Sequence, residues 1–235
     1  KIKKIGIATT GIINNGKWSV LNKKTLGNFT NFPLVKYISK KIKKPVFALG
    51  DTQSAALGEL RFGAGKRLSD FFYITISTGV GGCMVINKKI FNERAILAGA
   101  FGHMVVYKNG NQCGCGRKGC IEAYASGNAM KKILNKKYKR NISPKEMLIN
   151  YKSTKWSQVI INNATSVIAE GIVNINFLTG IENFIIGGSI GLSNEFFKGI
   201  KRNIKIISRK KIFLIRAGLK NDSEVFGCLA KSIQK

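Results

Sequence analysis

The sequence predicts an α/β protein, and three observations carry that prediction. Short β-branched runs of strand length alternate along the chain with stretches whose apolar residues recur at helical spacing. Several predicted strands run into glycine, at Gly50, Gly79 and Gly187, and the carboxyl ends of strands are where α/β sheets gather ligands. Finally, 44% of the 235 residues are hydrophobic, enough to build a core and far from the composition of disordered chains. No window holds the eighteen or so apolar residues of a membrane span, and Lys1-Ile2-Lys3-Lys4 leads into no signal-peptide core. A soluble cytoplasmic protein with no membrane partner is expected.

Taken in order, residues 5–13 are a β-branched run closed by the turn signal Asn14-Asn15-Gly16, after which 17–21 return as a strand. Residues 32–43 place Phe32, Leu34, Val35, Ile38 and Ile42 near helical spacing, with Pro33 tolerated in the first turn. Residues 45–49 read as a short buried strand ending at Gly50-Asp51, and 52–62 as a helix rich in Ala and Leu. A strand at 71–77 passes through Thr78-Gly79-Val80-Gly81-Gly82 into another at 84–86. Helical patterns follow at 121–136 and 158–178. A buried strand at 184–186 enters Gly187-Gly188-Ser189, then 197–203 reads as helix and both 204–207 and 212–215 as strands. A helix over 222–233, capped by Asp222 or Ser223, closes the chain. There is no internal repeat, linker or low-complexity tail.

The charge is extreme: 40 Lys and Arg against 11 Asp and Glu give a formal +29. Such a balance invites a polyanion, yet lysine outnumbers arginine 32 to 8, and arginine is the better reader of phosphates and guanine edges. The runs at 131–140 and 201–211 sit beside no helix-turn-helix or RNA-binding pattern, so no specific nucleic acid is expected. Joint over-use of Lys, Ile and Asn fits an AT-rich coding sequence.

The sharpest constellation is His103, Cys113, Cys115 and Cys120, within a glycine-rich loop. Three thiolates and an imidazole complete a tetrahedral zinc shell, and glycines let a tight loop wrap the ion. A disulfide or idle thiols are the alternatives. Three cysteines in eight residues with the chain's only histidine favour the metal, and four protein ligands make the zinc structural. Cys83 and Cys228 are read as buried thiols without an assigned role. Thr78, Gly79, Val80, Gly81 and Gly82 could cradle phosphate with backbone N–H groups or be a plain hairpin turn. Asp51 is either a helix cap or a general base for phosphoryl transfer. Spacing alone does not choose.

Together these pieces resemble the ROK family of bacterial sugar kinases and sugar-responsive repressors, over nearly the whole chain. The likeness begins at Ile5-Gly6-Ile7-Ala8-Thr9-Thr10-Gly11-Ile12 and Phe32-Pro33-Leu34-Val35-Lys36 and continues through Ile76-Ser77-Thr78-Gly79-Val80-Gly81-Gly82. It takes in Gly102-His103, the cysteine loop leading into Ile121-Glu122-Ala123-Tyr124-Ala125-Ser126-Gly127, and Gly187-Gly188-Ser189-Ile190-Gly191-Leu192. The resemblance implies an actin/hexokinase-like (ribonuclease H-like) two-lobed fold, with an incomplete small lobe and a structural zinc loop in the large one. The expected units are 1–67, the remnant of the small lobe with the base; 68–220, the large lobe; and 221–235, a C-terminal helix returning towards the small lobe.

The implied activity is ATP-dependent phosphorylation, with Mg²⁺ accompanying ATP, of an N-acetylated hexosamine at its 6-hydroxyl. The Thr-Thr-Gly-Ile-Ile and Thr-Leu-Gly-Asn stretches resemble members acting on N-acetylmannosamine in sialic acid degradation more than glucose kinases. Carried over, Asp51 is the base; Glu122 and His103 hold and orient the sugar, with His103 also a zinc ligand. Thr10, Gly11, Thr25 and Asn28 lie on the acyl side of its pocket, Thr78 to Gly82 grip the ATP phosphates, and Gly187 and Gly188 lie against adenosine. A homodimer is also implied. The other readings are a non-catalytic sugar-binding or regulatory ROK protein, a decayed remnant, or a glucokinase-type enzyme.

Four departures from the family pattern are expected to weaken catalysis. The match starts after the Asp-x-Gly-Gly-Thr turn that grips ATP in relatives. Gly50 replaces an asparagine, Ala100 a sugar-binding Glu or His, and Cys83 a third glycine, where a side chain is expected to crowd the phosphate turn. One lost buried hydrogen bond costs about 1–3 kcal/mol.

Overall fold

The structure, a computed structural model, describes residues 2–20, 27–91 and 99–233. It begins with β1 (Ile5–Thr9), which pairs in parallel with β4 (Val46–Gly50), Thr9 lying opposite Gly50. Between them come the hairpin of β2 (Ile12–Asn14) and β3 (Lys17–Ser19) and the helix α1 (Leu34–Ile42). The hairpin turns on Asn15 and Gly16 at φ 48° and 75°, the left-handed pair that joins two twisted strands. The run 5–13 is therefore two strands, because Gly11 turns the chain at φ 95°.

The helix α2 (Asp51–Phe62) follows β4 directly. Next comes a five-stranded sheet in the order β7-β6-β5-β8-β9, built from β5 (Phe71–Ile76), β6 (Val80–Ile86), β7 (Lys89–Ile90), β8 (Asn183–Gly187) and β9 (Phe213–Arg216). β5, β8 and β9 are parallel, whereas β6 and β7 run antiparallel to their neighbours. The period of two along β5 divides the core. Phe72, Ile74 and Ile76 pack with Ile168 and Ile172 of α6 (Lys155–Thr179) and Ile200 of α7 (Asn194–Ile207). Phe71 and Tyr73 face the other way, onto Ala55, Ala56 and Leu60 of α2 and Ala230 of α8 (Ser223–Ile233). Each fully buried Ile or Phe contributes about 1.5–3 kcal/mol, so the sheet is held from both faces.

Several expectations need correction. Residues 204–207 are the end of α7, not a strand. The β-branched run suggested extension, but the buried residues Phe196, Gly199, Ile200, Asn203 and Ile204 keep helical phase, and Ile206 is 72% exposed. The predicted helix 121–136 is two, α3 (Glu122–Ala125) and α4 (Gly127–Tyr138), separated by the extended Ser126, whose hydroxyl accepts the Ala129 N–H at 3.1 Å. An unforeseen helix, α5 (Pro144–Asn150), has a readable start: Ser143 caps Glu146 N–H at 3.1 Å and Pro144 opens the first turn. Val80 to Gly82 lie in β6, so the loop proper is confined to 77–79.

Candidate active site

Because β1 and β4 are parallel and in register at Thr9 and Gly50, the residues after them, Thr10 and Asp51, emerge side by side at the carboxyl ends of the strands. The Thr10 side chain hydrogen-bonds to Asp51, and Asp51 Oδ1 accepts the Thr52 N–H at 2.7 Å. Burial nevertheless pushes the Asp51 carboxyl above its usual range, outweighing these bonds. A carboxylate so placed has a raised proton affinity, which suits a base.

Glycines bring the turn at 77–79 and the start of β6 to the first residues of α2. Gly81, opposite Thr75 on β5, lies against Thr52 so closely that a Cβ there would collide with the Thr52 methyl. Gly82 faces the opposite side, where a Cβ would meet Phe101 at 2.6 Å. Gly79 lies under Glu122: a Cβ would stand 2.9 Å from its carboxylate, and Glu122 Oε2 accepts the Val80 N–H at 3.0 Å. The turn is fastened from α4 as well, where Gly127 N–H donates to the Ser77 carbonyl at 2.8 Å and Asn128 N–H to that of Thr78 at 3.2 Å. Ser189, after Gly187 and the left-handed Gly188, lies 3.3 Å from Ser77, hydroxyl to hydroxyl. At the strand ends the structure thus brings Thr52, beside Asp51, against Gly81, Glu122 against Gly79 and Val80, and Ser189 against Ser77. Asn28 is exposed, next to Phe29, whose ring stacks on Trp18 at 5.3 Å; Trp18 in turn donates to the Thr10 carbonyl at 2.8 Å. Thr25 lies outside the described residues. Cys83 does not crowd the turn: it is 1% exposed, in the core facing α2, because β6 has already left the turn at Val80.

The metal-ligating set comes together as expected. The ligand atoms of His103, Cys113, Cys115 and Cys120 all lie within 4.8 Å of one another, with Cys113 Sγ 3.7 Å from His103 Nδ1 and Cys115 Sγ 3.8 Å from Cys120 Sγ. A tetrahedron with Zn–S bonds of about 2.3 Å has edges of about 3.8 Å, so the donor set fits that ion. None of the five cysteines is in a disulfide. Burial, reinforced by Cys115 and Cys120, pushes the Cys113 thiol up to about 12; a bound dication is what would deprotonate such a cluster. Left-handed Gly119, at φ 80°, passes the Tyr107 carbonyl where a Cβ would collide.

Sequence reasoning missed three contributors. Thr52 positions Asp51 against Gly81. Tyr124 ties the metal loop to α3, its hydroxyl accepting the Asn111 N–H at 2.7 Å and its ring meeting Tyr107 edge-on at 5.0 Å. Glu59, buried at the far end of α2, is treated below. A separate cleft of about 580 Å³ lies between α7 and β9, lined by Lys201, Lys205, Lys210, Lys211 and Phe213 among others. No carboxylate is among the described residues that line it. No helix among the described residues is long and apolar enough to cross a membrane.

Comparison with known proteins agrees with this geometry. Residues 1–233 match the ROK family model. The chain is 35% identical to N-acetylmannosamine kinase of Haemophilus influenzae over 202 residues, 86% of this chain and 67% of that protein. With N-acetylmannosamine kinase of Escherichia coli the identity is 31% over 96% of this chain and 77% of the relative. The ROK family glucokinase of Streptomyces griseus, solved in complex with glucose and AMPPNP, superposes with a TM-score of 0.84 at 25% identity, covering 99% of this chain and 82% of that one. With the glycine turn and the His-Cys loop in one molecule and sequence likeness along its length, the chain belongs to the ROK family.

Proposed function

We propose that the chain transfers the γ-phosphoryl group of Mg-ATP to the 6-hydroxyl of N-acetylmannosamine, a step of sialic acid degradation. The observation that carries this reading is a partly buried Asp51, its carboxyl pushed up by burial, whose neighbour Thr52 lies against Gly81, while Glu122 lies against Gly79 on the same turn. In the reaction Asp51 takes the proton of the 6-hydroxyl as its oxygen bonds to phosphorus and the bond to the ADP oxygen breaks. Positioning and charge supply most of the rate in such a transfer. Backbone N–H groups of the turn meet the phosphates, Gly187 and Gly188 leave room for the adenosine side, and Thr10 and Gly11 border the acyl group of the sugar. Asn28 belongs to the same proposed pocket, and so does Thr25.

Zinc held by His103, Cys113, Cys115 and Cys120 would stiffen the loop that leads into Glu122, with His103 orienting the sugar. All four corners come from protein, so the ion serves structure and leaves no coordination position for the reaction. One zinc per chain by metal analysis is expected, and a strong chelator should lower the Tm by several degrees; a metal-free chain of unchanged Tm would overturn this role.

The test of the reaction is ADP release with Mg-ATP and N-acetylmannosamine, beside N-acetylglucosamine and glucose, with Asp51→Asn as the blank. Turnover on N-acetylmannosamine that vanishes in Asp51→Asn supports the proposal. Rates equal to the blank on all three sugars would sink it, and a preference for glucose would reassign the substrate.

A further inference from the structure

The chain between α2 and α8 holds the whole five-stranded sheet and is joined to the rest by two crossings, residues 63–68 leading into β5 and 217–222 leaving β9. Both are held by one side chain. Glu59, fully buried near the end of α2, accepts the Ala64 N–H at 2.7 Å on the first crossing and, on the second, the N–H groups of Gly218 and Leu219 at 2.9 Å each. The Ser223 hydroxyl at the start of α8 adds a fourth bond at 2.8 Å. Four donors on two oxygens require the ionised carboxylate, which only accepts. The Glu59 backbone carbonyl also takes the N–H groups of Gly63 and Gly65 at 3.1 and 3.0 Å. Glycine is needed around this group, since a Cβ at Gly63 would collide with the Glu59 carboxylate and one at Gly218 would stand 3.1 Å from Ala64 N.

A buried carboxylate is retained only where its hydrogen bonds offset desolvation, and here three of the four reach the two segments through which one unit can turn against the other, the fourth coming from the residue that follows the second segment. We infer that Glu59 is the clasp of an interlobe hinge: a positioning residue that makes both crossings move as one when the cleft shuts Asp51 onto the phosphate turn. The catalytic half of this inference rests on the kinase reading; the mechanical half does not.

Amide hydrogen exchange of the full chain tests the mechanical half, comparing wild type, Glu59→Gln and Ser223→Ala at 25 °C. In Glu59→Gln the amide nitrogen faces donors, so exchange in 63–66 and 217–220 should accelerate together, about 10- to 100-fold. Ser223→Ala should give a few-fold rise in both segments, with β1 and α6 unchanged. Acceleration of one segment alone, or of α2 and α8 throughout, would overturn the clasp; if Glu59→Gln does not fold, Ser223→Ala decides. The catalytic half is read as a split between kcat and KM, well below each variant's Tm. kcat should fall at least about 10-fold in Glu59→Gln, and less in Ser223→Ala, with KM for the sugar within about 3-fold and the acidic limb of the pH profile unmoved. Unchanged kcat, or kcat and KM collapsing together, would overturn a role in closure. Wild-type protein that releases no ADP would instead sink the kinase reading, leaving the exchange result to stand alone.

Discussion

The two ends of α2 handle the same functional group in opposite ways. At the first residue Asp51 receives one 2.7 Å bond from its neighbour's N–H and a contact from Thr10, and burial drives its carboxyl up. Eight residues later Glu59 receives four donors and is sealed from solvent. The lesson is that at Asp51 burial outweighs the hydrogen bonds it receives and raises its proton affinity, whereas at Glu59 four donors occupy both oxygens. A saturated carboxylate is a poor base, however deeply it is buried.

Removing the charge at each end should separate the two roles. Asp51→Asn should lower kcat by about 10²- to 10⁴-fold, the usual worth of a general base. It should also raise the Tm at neutral pH. With its folded pKa raised, wild-type Asp51 destabilises the fold above that pKa, and the penalty disappears as pH falls through it towards the unfolded value. Melts from pH 8 to pH 3 should therefore show the gap between variant and wild type closing on acidification. In wild type, kcat should fall across the same acidic range because the base must be ionised. A gap independent of pH would break the comparison.

Glu59→Gln should do the reverse to stability. Leaving a buried N–H group facing an amide instead of a carboxylate should cost about 2–3 kcal/mol in denaturant unfolding. Next in size is Gly81→Ala, whose methyl would strike the Thr52 methyl and displace the first turn of α2. A loss of about 10-fold in kcat is expected, restored in the double variant with Thr52→Ser, which removes the obstructing methyl. Failure of that rescue would mean that Gly81 serves the nucleotide and not the placement of Asp51. The smallest effect is a gain. At Gly50 the backbone is extended, at φ −62°, and a Cβ would meet nothing closer than Gln53 Oε1 at 3.5 Å. Gly50→Asn should lower KM for the sugar several-fold, as one recovered hydrogen bond would, and its side chain can also cap α2.

Much of this was readable in the sequence, and the misses share a cause. The β4–α2 junction, the strand ends at Gly79 and Gly187 and the His-Cys loop rely on local spacing, and all three stand where the residues put them. Residues 204–207 failed because β-branching and helical phase disagree there, and packing on Thr165 decided: Asn203 donates to its hydroxyl at 2.9 Å and Gly199 lies against it. Asp51 could not be divided between cap and base because what packs on the start of α2, such as Gly81 against Thr52, lies about thirty residues on. Glu59 left a faint signal, an acid in the apolar phase of Ala55, Ala56 and Leu60 with Gly63 and Gly65 just beyond. Three of its four donors are 159 to 164 residues away, which no local pattern reports.

The seam between α2 and α8 bears on how this chain can change. A Cβ at Gly58 would strike the Ser223 carbonyl and one at Gly227 the Ser54 carbonyl, while the Ser54 hydroxyl donates to the Glu224 carbonyl at 2.7 Å. Backbone meets backbone there, with no flexible side chain to yield. On α7, by contrast, Lys198, Lys201 and Lys205 are exposed, where a long side chain reaches water. A saturation library should accordingly recover almost any residue at those three positions and almost none but the present ones at Gly58 and Gly227, so mutational drift can recolour the outside of this molecule without reaching the seam along the helix that carries Asp51.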